Sequence, residues 1–199
     1  MDMDWNSELV DQLEWHWENQ LRPRLDSLTD DEYFWEPVPG CWNISRSGHS
    51  LAPISVGAGE YKMDYALPPY DREPVTTIGW RLAHIIVAVF GARNASHFGG
   101  PSTGGGEAFP PADYPTWTYA GTAAEALRQL DDGHDAWVKG VRGLGANGLA
   151  EPCGPAEGPF AEYSMAALVL HIHREVIHHG AEISLLRDLY LWKGDRDGI

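Results

Sequence analysis

The sequence predicts an all-α protein, a four-helix bundle with long crossover loops. Three observations lead there. Apolar residues recur at steps of three and four over residues 4–28, 76–94, 122–141 and 164–193, which places them on one helix face in each stretch. Each stretch opens on a Ser, Thr or Asp positioned to cap it. The segments between are punctuated by Pro and Gly, with neither βαβ alternation nor a repeat period. A chain of 199 residues is long enough for one domain with a substantial core, and a single domain is expected.

In the first helix Val10, Leu13, Trp17, Leu21 and Leu28 share a face, with Asp4 or Ser7 as the cap. Pro23 should bend it or force a break one turn earlier. His16 and Arg24 flank that face and belong at the rim. Residues 29–77 hold too many prolines and glycines for a long helix, although GEYKMDYAL (59–67) alternates enough for a short strand or hairpin arm. A connection of this length is uncommon in a compact domain and, when ordered, usually functional. His49, on a Gly/Ser-rich loop, is expected to be solvated.

The second helix is capped at Thr76-Thr77 and runs to about Asn94, with Trp80, His84, Val87, Ala88 and Gly91 along one face. His84 therefore sits in an apolar segment, either as a hydrogen-bonded core residue or as a ligand if a facing helix brings matching donors. His97, past the last apolar turn, is expected to be solvated or capping. GGPSTGGGE (99–107) lacks the GK[ST] ending of a phosphate loop. A capping box, Thr122 to Glu125, opens the third helix, which turns Leu127, Leu130, His134, Trp137 and Val141 inward. His134 reads as a core hydrogen-bonding residue, with a ligand or general base as its sharper alternative. Residues 143–163 cross to the fourth helix, which starts at Ser164 and stops near Lys193-Gly194.

That last helix carries LVLHIHREVIHHGAEISLLRDLY, residues 168–190. Leu168, Ile172, Val176, Ile183, Leu186 and Tyr190 form a stripe about 80° wide, and Glu175 and His179 fall within it, about 20° either side of its axis. Being four apart, they stack one turn above the other. His171 and His178 lie on the flank of the stripe, and His173 points away from it. A carboxylate and an imidazole aimed into a core are expensive to desolvate unless something pairs with them. They either satisfy each other as a buried pair or bind a metal, with His171 as an orienting neighbour.

Composition narrows the function classes. With 29 acidic against 14 basic residues the net charge is −15, which repels a phosphate backbone, so no nucleic-acid partner is expected. The longest apolar run, IIVAVF at 85–90, is far short of a membrane span, and the acidic N-terminus lacks the layout of a signal peptide. Two cysteines, Cys41 and Cys153, make no disulfide framework, and a reduced cytoplasmic protein is the expectation. The nine tryptophans are spread over the whole length, as distributed core and rim anchors would be.

In such a bundle, inward polar groups on facing helices are the usual way to build a metal site. His84 from the second helix with Glu175 and His179 from the fourth makes a two-nitrogen, one-oxygen set with an open position, the pattern of catalytic zinc. Ni(II), Fe(II) or Mn(II) suits the same donors.

Three motifs in order carry a family resemblance. TIGWRLAHI, with a Trp four residues before a His, resembles the second-helix motif of the DinB-like (DinB/YfiT) metalloenzyme superfamily. REVIHHGAEISLLRDLY resembles that superfamily's last-helix signature, and WEPVPGCW its loop after the first helix. The commonest pattern has His where this chain has Glu175; the branch resembling mycothiol-dependent maleylpyruvate isomerase has Glu there, and the carried-over ligands are again His84, Glu175 and His179. The extra C-terminal domain of that isomerase has no counterpart here, so its reaction is not transferred. The resemblance implies a divalent metal, zinc first, and a low-molecular-weight thiol cosubstrate such as mycothiol or bacillithiol. The implied activity is a thiol-dependent transferase or isomerase acting on a small electrophile. A metal-dependent hydrolase, with His134 or His171 as base, and a non-catalytic, stress-related metal-binding module are the alternatives. Trp42, Arg46, Trp80 and His178 are candidates for lining the substrate pocket, and a homodimer is compatible with the pattern.

Overall fold

A computed structural model describes residues 3–69, 71–99 and 114–194, so GGPSTGGGE lies outside the described residues except for Gly99. The described chain is mostly helical with one small sheet, as the periodicity predicts. Asp4 caps α1 (Trp5–His16), its carboxylate accepting from the backbone N–H groups of Asn6 and Ser7 at 3.1 and 3.3 Å. The disturbance expected one turn before Pro23 takes the form of a π-helical turn, Trp17–Leu21, followed by a last turn α2 (Arg22–Arg24). Thr29 and Glu32 form a reciprocal capping box on the short α3 (Asp30–Tyr33). Glu32 also receives the Arg187 guanidinium at 3.0 Å, with side chains 4% and 11% exposed.

The first crossover folds into three antiparallel strands, β1 (Ile44–Arg46), β2 (Ile54–Val56) and β3 (Tyr61–Tyr65), in the order β1-β3-β2. Ile44 pairs with Met63 and Ile54 with Tyr65; Ile44 and Met63 are the buried contacts of this layer. One buried amide ties the crossover to the second helix. Asn43 donates Nδ2–H to the Phe34 carbonyl, while its Oδ1 accepts from Ile44 N–H and Thr77 Oγ1–H, both at 2.8 Å. Thr77 in turn caps α4 (Ile78–His84) by accepting from Trp80 N–H.

Beyond His84 the second helix continues in π-helical form through Ile85–Gly91 and again over Asn94–Phe98, four residues past the expected end. This extension corrects the reading of His97. Its Nε2 lies 3.0 Å from Glu157 Oε1, both side chains are under a tenth exposed, and Arg93 reaches the same carboxylate at 3.1 Å. The partner comes from 60 residues away, so no local pattern announces it.

Thr122 caps α5 (Ala123–Ala150), but the expected box closes one residue early: Glu125 accepts from Gly121 N–H rather than from Thr122 N–H. The helix also runs through residues expected to lie in the crossover, interrupted only at Gly145, whose φ of +61° suits glycine. A 3₁₀ turn (Pro155–Phe160) then leads to α6 (Met165–Trp192), capped by Ser164. Helices α5 and α6 pack on each other and on both the first and second helical rods. The shared core includes Leu13, Leu21, Leu82, Ile85, Phe90, Leu130, Trp137, Ile172, Val176 and Ile183. Each such side chain contributes roughly 1.5–3 kcal/mol of burial.

The inward face of α6 is rotated from the one the wheel selected. Leu168, Val169, Ile172, His173, Val176, Gly180, Ile183 and Leu186 are buried, so His173 points into the core, where burial pushes its pKa down to about 4. Glu175 and His179 lie on the flank of this face, with side chains 30% and 15% exposed. The first rod, the second rod and α5 all pack on α6, and together they set the covered arc. Among the described residues no helix is long and apolar enough to cross a membrane.

Candidate metal centre

His84 ends α4, and Glu175 and His179 stand one turn apart on α6, which packs against it. One donor atom from each of the three lies within 4.8 Å of the others. Glu175 Oε2 and His179 Nε2 are 3.4 Å apart, and the His84 and His179 rings meet edge-on with centroids 4.7 Å apart. Donors at 2.0–2.2 Å around a tetrahedral ion stand about 3.4 Å from one another, so the α6 pair is already at ligand spacing and His84 needs a small side-chain rotation.

The far side of each imidazole is held. His179 Nδ1 is 2.7 Å from Glu182 Oε2. A carboxylate only accepts, so the proton sits on Nδ1 and the lone pair is left on Nε2, toward Glu175. Arg81 ion-pairs with the same Glu182 oxygen. His84 Nδ1 is 2.8 Å from the Tyr114 hydroxyl, leaving Nε2 as its free donor. Burial first, then the neighbouring His179, Arg81 and Arg93, push the His84 pKa down to about 4, so the ring is neutral at pH 7, as a ligand must be. Burial likewise raises the Tyr114 phenol above its usual range and keeps it protonated. These residues fit a divalent cation: two imidazoles and one acidic side chain converge, and each ring is oriented by a partner outside the cluster.

A second trio, His178, His179 and Glu182, also comes within ligand distance. There the Arg81 guanidinium already occupies Glu182, and a cation would have to displace it. That trio supports the first one and is not a separate site.

The other sequence candidates divide by position. Trp80 stacks parallel to His84 (5.8 Å, 6°), fixed by its Nε1–H donating to the Asp64 carbonyl of β3 at 2.8 Å. Trp42 lies 6.1 Å beyond, against Trp80. His171 Nδ1 is 3.5 Å from Glu175 Oε1, and His178 lies edge-on to His179 at 4.9 Å. Trp80, His171 and His178 adjoin the cluster, and Trp42 adjoins Trp80. Arg46 instead contacts Tyr61 and Glu60 at the exposed side of the sheet. His134, on α5, instead stacks on Trp17 of the first rod at 3.9 Å and contacts Phe90 and Asp135.

Sequence reading missed Arg81, Tyr114 and Glu182. Glu182 had a local signal, because a carboxylate three residues after a histidine shares its helix face. Tyr114 had none; it arrives from the second crossover, 30 residues from His84.

The helical bundle and its convergent His/Glu cluster define the class: a DinB-like protein whose residues can hold a metal ion. The DinB superfamily model matches residues 12–183, and the chain belongs to that superfamily. No curated protein and no solved structure matches the chain significantly.

Proposed function

We propose that this protein is a divalent-metal-dependent enzyme, with His84, Glu175 and His179 as ligands and zinc as the first candidate ion. The observation that carries the reading is the convergence of these three donors with both Nδ1 atoms held from behind. Among the described residues the cluster has three members, which supports an open coordination position, since a structural zinc site more often has four protein ligands.

When bound, such an ion lowers the pKa of a thiol or water in its open position and so supplies a nucleophile at neutral pH. The chain's residues do the rest. Glu182 holds His179 in the Nδ1–H tautomer, and Arg81 holds Glu182. Trp80, pinned to β3, walls the His84 side and presents a flat apolar surface with Trp42 behind it. A surface of that kind suits a small organic electrophile. The reaction class we assign is transfer or isomerisation dependent on a low-molecular-weight thiol of the mycothiol or bacillithiol type.

Hydrolysis is the second reading, favoured by His171 beside Glu175, where an imidazole can take a proton from an attacking water.

Metal analysis of purified protein tests the ligand set. Wild type should retain about one ion per chain, and the His84→Ala, Glu175→Ala and His179→Ala variants should lose it. Equal, negligible metal in all four would end the proposal. A panel of electrophiles with and without thiol then separates the two reactions: turnover only with thiol supports transfer or isomerisation, and thiol-independent turnover supports hydrolysis. Metal-loaded protein that binds no thiol and consumes no substrate would refute both.

A further inference from the structure

The outward face of α6 has an order of its own. Leu170, Arg174, Ile177, Ala181, Leu185, Asp188 and Trp192 are all exposed, and they follow one another at steps of 4, 3, 4, 4, 3 and 4. Those steps keep them on one stripe, roughly opposite the buried face. The spacing is the same read from either end, with Ala181 at its centre.

The chemistry is matched as well as the spacing. When two copies of a helix pack antiparallel about a two-fold axis, residues equally far before and after the axis face one another. With the axis at Ala181, Leu170 meets Trp192 of the other copy, Ile177 meets Leu185, and Arg174 meets Asp188, each pair occurring twice. Apolar residues face apolar ones, and the one basic residue of the stripe faces its one acidic residue. The small side chain falls where the two backbones approach most closely. Leu170, Ile177, Leu185 and Trp192 are 50%, 47%, 60% and 67% exposed, and together they form one contiguous apolar stripe.

The surface beside the stripe is concave. A groove of about 580 Å³ lies between α6 and the end of the first helix, bounded by Ile177, Ala181, Leu185 and Asp188 on one side and by Asn19 and Arg24 on the other. From Leu170 to Trp192 the stripe is about 33 Å long at 1.5 Å per residue.

We infer that the outward face of α6 is a homodimer interface, an antiparallel pairing of two α6 helices about a two-fold axis through Ala181. Arg24 already pairs with Asp188 at 2.5 Å within the chain, so Arg174 of the second copy completes a three-member charge cluster at each end of the contact. The metal cluster lies on a different face of α6, and the inference does not depend on its occupancy.

Sedimentation and light scattering on the full chain test this. Wild type at micromolar concentration should show twice the 22.0 kDa of one chain. Ala181→Arg places two guanidinium groups on the axis and should weaken association at least about 100-fold, with helical circular dichroism unchanged because position 181 is exposed. Arg174→Asp and Asp188→Arg should each weaken it about tenfold or more, and the two together should restore most of the loss. Oxidised Ala181→Cys should run as a covalent dimer on a non-reducing gel, an assay the buried Cys41 and Cys153 leave clean. A monomeric wild type at about 100 µM, a dimer indifferent to Ala181→Arg, or an Ala181→Cys protein that does not cross-link would each overturn the inference.

Discussion

His179 donates Nδ1–H to Glu182 at 2.7 Å while its Nε2 stands 3.4 Å from Glu175, so one side chain faces two carboxylates with different duties. Glu175 is placed to share a cation; Glu182, held by Arg81, is placed to orient the ring. Glu182→Gln keeps an acceptor at that position but removes the charge. It should weaken cation binding about tenfold or more, read by competition with a chromophoric chelator. An unchanged affinity would show that Glu182 does not orient the ligand. His134 is a different case. It is buried against Trp17, its Nε2 has no hydrogen-bond partner among the described residues, and burial holds its pKa below the ordinary 6.5. The unfolded chain therefore takes up this proton first, and stability is lost as pH falls below 6.5. His134→Phe should flatten the dependence of urea midpoint on pH just below 6.5, and a slope identical to wild type would contradict the assignment.

Among the elements, the second helix has the most demanding fit. Its π-helical end brings Phe98 against α5 at Gly140, where an added Cβ would stand 2.3 Å from the ring. Phe98 is itself packed on Trp137, with centroids 5.4 Å apart, and cannot swing away freely. Gly140→Ala would gain about 1 kcal/mol of helix propensity on an exposed surface. Here overpacking, typically 1–3 kcal/mol, should outweigh that gain and lower the melting temperature. A higher melting temperature would mean that Phe98 moves at little cost. Asn43 matters at the same scale, because its three hydrogen bonds join the first crossover to the cap of α4. One turn on from that cap, Trp80 reaches β3 and stacks on His84. The small sheet thus reaches His84 through Trp80.

Across the molecule, the buried pair of Glu32 and Arg187 latches the turn after the first helix to the last third of α6. Arg187 also donates to the Arg24 and Asp26 carbonyls. Burial alone would raise the Glu32 carboxyl, but Thr29 N–H and Arg187 overcome it and hold the pKa below the ordinary 4.5. The folded form binds this proton more weakly than the unfolded chain, so the latch contributes fully above pH 4.5 and is lost as the pH falls below it. Glu32→Gln should therefore destabilise the protein at neutral pH, on the order of 3 kcal/mol for a broken buried pair. The gap from wild type should narrow in acid, as thermal melts between pH 7 and 3 would show, and a gap constant with pH would refute the linkage.

The amino-acid order by itself determined the four helical rods, the caps at Thr122 and Ser164, and the stacking of Glu175 on His179, and it narrowed the other two caps to Asp4 or Ser7 and to Thr76-Thr77, of which the structure uses Asp4 and Thr77. Helical periodicity and capping act over a few residues, and such signals are written locally. Only the tertiary structure decided that His173 turns inward while Glu175 and His179 stand on the flank, because the buried arc of a helix is set by the neighbours that cover it. It also decided that His97 meets Glu157, and that Tyr114 and Glu182 hold the far nitrogens of His84 and His179. Two of these contacts, Glu157 to His97 and Tyr114 to His84, join residues 60 and 30 positions apart, and the packing of the chain alone brings them within hydrogen-bond reach.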